Sequence, residues 1–167
     1  MERPLLFLDV DGVISLFGLT EAPTETLVVD EQLHFIPLAM ASRVRRLAEG
    51  FDLVWATGWE KRANEHLLPV LGLSGPLPYL TFGGLAVFGS ADWKLDAIAA
   101  TAEGRAAAWV DDNHDQSSDA WAYSRTVPTM LVTTESHTGL TDDLVEALMS
   151  WAAEFAPAGA ISSYQAV

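Results

Sequence analysis

Apolar residues along the chain fall into short continuous runs, and between these runs they recur every three or four positions. Leu5-Leu6-Phe7-Leu8, Asp52-Leu53-Val54-Trp55-Ala56, Ala106-Ala107-Ala108-Trp109-Val110 and Thr129 to Thr133 have strand length, and each gives way to small or polar residues. Such runs predict strands covered on both faces, the situation of a parallel sheet. The intervening stretches have helical spacing. Ala41, Val44, Leu47 and Ala48 share a face in a helix opened by Pro37 and closed by Gly50. Ala63, Leu67 and Leu71 do the same in a helix that frays near Pro69 and stops at Gly72, and Leu95, Ile98, Ala99 and Ala102 in one capped by Ser90 or Asp92. A short helix is expected from Ser117 to Arg125, and a last one from Thr141 to Phe155, with Thr141 as N-cap, Asp142 and Asp143 in its first turn and Pro157 as its stop.

Three pieces depart from this alternation. Thr26-Leu27-Val28-Val29 and Leu33-His34-Phe35-Ile36, flanking Asp30-Glu31-Gln32, read as a β-hairpin within an insert spanning about 14–36, placed to act as a flap. Leu77 to Phe82 reads as an edge or irregular strand because Pro78 cannot donate to a ladder; Leu85 to Phe88 reads as a small return strand after Gly83 and Gly84. Residues 157–167 read as a loose tail. The expected architecture is α/β: a Rossmann-like parallel sheet flanked by helices, one domain over 1–156, with its site beyond the carboxyl ends of the strands.

Composition narrows the function classes. A chain of 167 residues, half of them hydrophobic, supplies one domain with a substantial core. Nine basic against 23 acidic residues give a formal charge of -14, which disfavours nonspecific attraction to nucleic acid or anionic membrane. The absence of cysteine excludes disulfides and thiolate metal sites and is compatible with a reducing compartment. The first apolar run is broken by Asp9 and Asp11, so it is not read as a signal peptide, and no stretch approaches a membrane span; a cytoplasmic protein is the expectation. No internal repeat, Walker A loop or G-x-G-x-x-G fingerprint occurs.

Candidate chemistry gathers where the runs end. Asp9 and Asp11 close the first run, and alternation along a strand would aim both carboxylates at one point, an arrangement made tolerable by a hard divalent cation or by a retained proton. Thr57-Gly58 closes the second run and offers a hydroxyl and free N–H groups, either as an anion seat or as a helix cap. Lys94 lies in the first turn of its helix, against the preference of the helix dipole, and is either a surface lysine or one that reaches an acid or a bound anion. Asp111 and Asp112 close the third run, and their opposite projection would let one face a metal while the other holds a basic side chain.

In this order, Asp9-x-Asp11-Gly12-Val13, Thr57, Lys94 and Asp111-Asp112 resemble the four motifs of the haloacid dehalogenase (HAD) superfamily, over residues 5 to about 134. Receiver domains of phosphate transfer share the residue types but place the lysine last. The resemblance implies Asp9 as nucleophile, Asp11 as general acid/base, Thr57 and Gly58 as phosphate-binding groups, Lys94 as charge stabiliser, and a magnesium ion held by Asp9, Asp11 (through its backbone carbonyl), Asp112 and Asp111. An aspartate two residues after the first resembles the phosphatase and phosphotransferase branches. The short spacings imply a member with no large cap domain. Val54-Trp55-Ala56-Thr57-Gly58-Trp59-Glu60 and Trp109-Val110-Asp111-Asp112 are also similar to the small HAD domain associated with RNA repair proteins.

The implied activity is a magnesium-dependent phosphomonoester hydrolase working through an aspartyl-phosphate on a small molecule or a nucleic-acid end. A phosphate-binding or interaction domain without turnover is the alternative. No protein partner is identifiable. Among the remaining residues, His114 reads as a solvent-facing loop histidine; His34, His66 and His137 show no ligand spacing; Arg43, Arg45 and Arg46 read as a solvated helix face; and Trp59 is either packing or a stacking surface for a base.

Overall fold

A computed structural model of the protein describes residues 2–20, 26–29, 31–84 and 89–155. Strands β1 (Leu5–Leu8), β4 (Asp52–Trp55), β5 (Ala107–Asp111) and β6 (Thr129–Thr133) form one parallel sheet in the order β4-β1-β5-β6. Strands β2 (Leu27–Val29) and β3 (Gln32–His34) form the separate antiparallel hairpin. Helices α1 (Ala39–Gly50), α2 (Lys61–Leu71), α3 (Leu95–Thr101), α4 (Gln116–Ser124) and α5 (Asp142–Ala153) complete the fold.

Strand alternation builds the two sides of the core. Leu6, Leu8, Ala108 and Val110 face a cluster filled by Met40, Val44 and Leu47 of α1, Leu67 and Leu71 of α2, and Val145 and Leu148 of α5. Leu5, Phe7, Ala107 and Trp109 face the opposite cluster, with Ile98 of α3 and Trp121 of α4 against them. Every residue of β1 and β5 is buried, which explains why their sequences read as unbroken apolar runs. On the outer side, Arg43 makes a two-pronged ion pair with Asp142, and Arg46 pairs with Glu146. These arginines join α1 to α5, where the sequence suggested only a solvated face.

Element boundaries shift for identifiable reasons. α1 begins two residues after Pro37, whose carbonyl accepts the N–H of Met40. α2 continues past Pro69 to Leu71 and ends at Gly72 in the left-handed conformation, a C-terminal glycine signal. The helix expected after Ser90 opens as a 3-10 turn, Asp92–Lys94, with the Ser90 hydroxyl accepting the Asp92 N–H. Residues 77–82 do not form a strand: Tyr79 makes a lone bridge to Trp55, and Asn64 holds the segment by accepting the Leu77 N–H and the Trp55 indole N–H while donating to the Leu77 carbonyl. The return strand expected at 85–88 and the tail at 157–167 lie outside the described residues.

Two close approaches tie the loops above the sheet together. Gly12 has φ +74°, and a β-carbon there would collide with the carboxylate of Asp112. Gly139 has φ +60° and packs against the Val13 carbonyl, while Leu140 N–H donates to that same carbonyl and the Thr134 hydroxyl donates to the carbonyl of Gly12. The turn after β1 is therefore clamped between Asp112 and the loop that follows β6. Replacing Gly12 with alanine is expected to cost at least about 1–2 kcal/mol from the left-handed backbone alone and to push Asp112 aside. A lowered melting temperature, read by scanning calorimetry on the Gly12→Ala variant, is the expected result.

Candidate active site

The sheet register sets the site. Leu8 lies level with Val110 on one side and Trp55 on the other, so Asp9 emerges beside Asp111, and the turn bearing Thr57 and Gly58 flanks them. Asp9 belongs to the Leu5-Phe7 side of the sheet and Asp111 to the Ala107-Trp109 side, the same layer. Lys94, at the start of α3 in that layer, reaches both: its Nζ lies 2.7 Å from Asp9 Oδ2 and 2.6 Å from Asp111 Oδ2. Only 3% of Lys94 is exposed, which settles the choice between a surface lysine and one that reaches an acid. The Trp109 indole also approaches Asp111 Oδ2, and Asp111 Oδ1 accepts the Asn113 N–H.

Asp112, the first residue past β5, is held by the loop that follows β6. It accepts from the Ser136 hydroxyl at 2.8 Å and from the Asn113 amide at 2.5 Å. The carboxylates of Asp9, Asp111 and Asp112 each offer one oxygen within 4.8 Å of the others. Three carboxylates against one ammonium leave two negative charges, the charge a divalent cation neutralises, and an all-oxygen donor set suits magnesium. The residues present fit that ion. Asp111 has both oxygens engaged, Oδ2 by Lys94 and the Trp109 indole and Oδ1 by the Asn113 N–H, whereas Lys94 takes only Oδ2 of Asp9 and Asp112 meets only neutral donors, so Asp9 and Asp112 are the carboxylates with capacity for direct contact.

Burial governs the electrostatics. It pushes the Asp9 carboxyl up to about 7; Lys94 pulls in the opposite direction and Asp111 reinforces the rise. Burial would depress Lys94, but Asp9 and Asp111 outweigh it and hold the ammonium above its ordinary value. Asp112 is raised, chiefly by burial, with the Ser136 hydrogen bond opposing. Asp115 is held down at about 2 by the hydroxyls of Ser117 and Ser90, while it caps α4 by accepting the N–H groups of Ser117 and Ser118.

Asp11 lines the same cavity as Asp9, yet its carboxylate does not join the cluster. The strand ends at Leu8, and a turn in which Val13, Ile14 and Ser15 all donate to the Val10 carbonyl redirects the chain, so alternation no longer applies. Asp11 Oδ2 instead accepts the indole N–H of Trp59 at 2.9 Å, and Oδ1 lies 3.9 Å from Nδ1 of His34 in the hairpin. Any contribution of Asp11 to a metal would come through its backbone carbonyl. Thr57 is fully buried, and its hydroxyl accepts the Trp59 N–H at 3.4 Å; Gly58 is the member of that turn that lines the cavity.

The cavity, about 600 Å³, is walled by these acids, by Phe17, Trp59 and Trp93, and by Val29, Gln32 and His34 of the hairpin. Its size suits a small ligand or the end of a larger one. The hairpin thus stands beside the acids, as its position in the sequence suggested. His114 differs from expectation: its ring packs edge-on against Trp109 with centroids 4.6 Å apart, its Nδ1 meets the Thr133 hydroxyl, and burial lowers its pKa. Sequence reasoning missed Ser136, which holds Asp112, and the engagement of His34 and Trp59 with Asp11. The signal for Ser136 was its position just past β6, since loops at the carboxyl edge of a parallel sheet converge.

The family of HAD domains in Swiss Army Knife RNA repair proteins matches the chain over residues 5–145. No curated protein shows a significant match. The matched region takes in the whole four-stranded sheet, the hairpin, Lys94 and all four acids, so this chain belongs to the family of HAD domains found in Swiss Army Knife RNA repair proteins.

Proposed function

We propose that the protein is a magnesium-dependent phosphomonoester hydrolase that works through an aspartyl-phosphate on Asp9. The observation that carries this reading is the Lys94 bridge: a buried ammonium orders Asp9 beside Asp111 and leaves Asp112 with Asp9 to hold a divalent cation. Asp9, Asp112 and the backbone carbonyl of Asp11 would hold magnesium, which would supply positive charge against the repulsion between a phosphate dianion and an attacking carboxylate. The free oxygen of Asp9 attacks phosphorus in line and the bond to the leaving oxygen breaks. Asp11 delivers a proton to that oxygen and then takes one from the water that opens the aspartyl-phosphate. Lys94 and the Thr57-Gly58 turn stabilise the equatorial oxygens.

A nucleic-acid end is the second reading of the substrate, favoured by the RNA-repair context of the family. The hairpin leaves the site without a large cap, which suits the exposed end of a longer molecule. The formal charge of -14 works against attraction to a polyanion, and with Lys94 buried against two acids it is left to exposed groups such as Lys61 and Arg62 to provide it. Broad phosphomonoester hydrolysis is therefore the primary proposal.

Asp9→Asn is expected to abolish turnover while the fold survives, because it removes the nucleophile and relieves carboxylate crowding. Wild-type turnover in this variant would sink the nucleophile assignment. In the metal-free protein, the raised Asp9 pKa favours the folded state below the ordinary carboxylate value, and that advantage is lost as pH rises through about 7. The metal-free melting temperature should thus fall between pH 4 and pH 8 more steeply in wild type than in Asp9→Asn. Magnesium affinity should climb by up to about tenfold per pH unit until pH 7 and then level, as expected when one proton is displaced. For the substrate, comparing a nucleoside monophosphate with an oligonucleotide carrying the same terminal phosphate, at low and moderate salt, separates the readings. Preference for the mononucleotide by tenfold or more at every salt concentration removes the nucleic-acid end.

A further inference from the structure

Among the described residues, Trp59 is the group that touches the Asp11 carboxylate most closely. Its indole nitrogen lies 2.9 Å from Asp11 Oδ2, whereas the hairpin's His34 Nδ1 lies 3.9 Å from Oδ1 and 2.9 Å from the Ser15 hydroxyl. The ring is itself fixed. It stands edge-on to His34 with centroids 4.6 Å apart and edge-on to His66 at 6.4 Å. The backbone that carries it is pinned as well: Glu60 N–H donates to the Thr57 carbonyl, Glu60 takes φ +48°, and its carboxylate accepts the Phe82 N–H at 2.9 Å. Asp11 is meanwhile half exposed, with 53% of its side chain accessible, so without this contact its carboxylate would be free to rotate.

We propose that Trp59 is a positioning residue for proton transfer by Asp11. An indole N–H is a donor and never an acceptor, so it takes a lone pair of Oδ2 and leaves the acidic proton to Oδ1. It also holds Asp11 away from the Asp9–Asp111–Asp112 cluster, where the acid would compete for metal. In the first step, the Oδ1 proton passes to the leaving oxygen as the P–O bond breaks with its electron pair on that oxygen and the new bond forms from Asp9 to phosphorus. In the second, Asp11 Oδ1 takes a proton from the water whose oxygen attacks phosphorus, the P–O bond to Asp9 breaks with its electron pair on the Asp9 carboxylate, and inorganic phosphate leaves. The inference rests on the general-acid reading of Asp11 above.

Leaving-group dependence tests it, since a proton donor matters for a poor leaving group and little for a good one. Measured with the magnesium-loaded enzyme, Trp59→Phe should lower kcat/KM, which reports the step in which the leaving oxygen departs, about tenfold or more on alkyl phosphates and by less than about threefold on p-nitrophenyl phosphate. Trp59→Tyr, which keeps a ring and moves the donor, serves if the phenylalanine variant does not fold. Equal losses across the series mark a packing role and overturn the inference while leaving Asp11 its role. Asp11→Asn is the control for the parent reading: a steep dependence supports it, and a flat response overturns both. Independently of turnover, the Trp59 indole resonance, identified as the ¹H–¹⁵N crosspeak missing in Trp59→Phe, should move upfield in Asp11→Ala. An unmoved crosspeak overturns the contact.

Discussion

The fold converges on a buried charge problem. The parallel register brings Asp9 and Asp111 side by side at the carboxyl ends of neighbouring strands, where burial makes two ionised carboxylates costly. Lys94 makes the pairing tenable by hydrogen-bonding both acids from α3. A buried ion pair is weak evidence of stability, because desolvation consumes most of the attraction, and removal of one partner strands the other. Its value here is geometric. The ammonium fixes one oxygen on each acid, the Asn113 N–H takes the other oxygen of Asp111, and Asp9 keeps acceptor capacity beside Asp112 at the cavity.

Around this bridge, each neighbouring group is oriented by a different element. Ser136 after β6 holds Asp112, Gly12 leaves room for that carboxylate, and the turn after β4 supplies Gly58 and Trp59. The hairpin adds His34 from a chain segment that belongs to neither layer of helices. A site assembled from so many loop ends depends on the loops being tied to one another, and the contacts from Gly139, Leu140 and Thr134 to the turn after β1 do that.

Much of this was legible in the sequence, and the boundary of legibility has a physical cause. The strands of the sheet, the helical faces and the placement of the acids follow from local periodicity, because buried parallel strands and amphipathic helices impose it directly on the sequence. The resemblance carried by Asp9, Asp11, Thr57, Lys94 and Asp112 points to the family to which the chain belongs. What local pattern could not supply was orientation after the regular geometry stops. Asp11 was expected to share the aim of Asp9, and the turn at Val10 ended the alternation on which that expectation relied. Likewise, the partnership of Trp59 with Asp11 joins residues 48 apart, the ring of His114 folds onto Trp109, and Arg43 finds Asp142 across 99 residues. None of these leaves a periodic trace.

The segment at 77–82 has a role beyond filling space. β4 ends the sheet on one side, and an unprotected parallel edge presents backbone groups that any extended chain can extend into a further strand. Here the N–H of Trp55 is taken by the Pro78 carbonyl and its own carbonyl by the Leu80 N–H, while Asn64 secures the segment from α2. Proline at 78 brings no N–H of its own, so the segment covers the Trp55 end of the edge without becoming a strand that would merely move the exposed ladder outward. One asparagine and one proline thus close that end of the edge to the addition of a further strand.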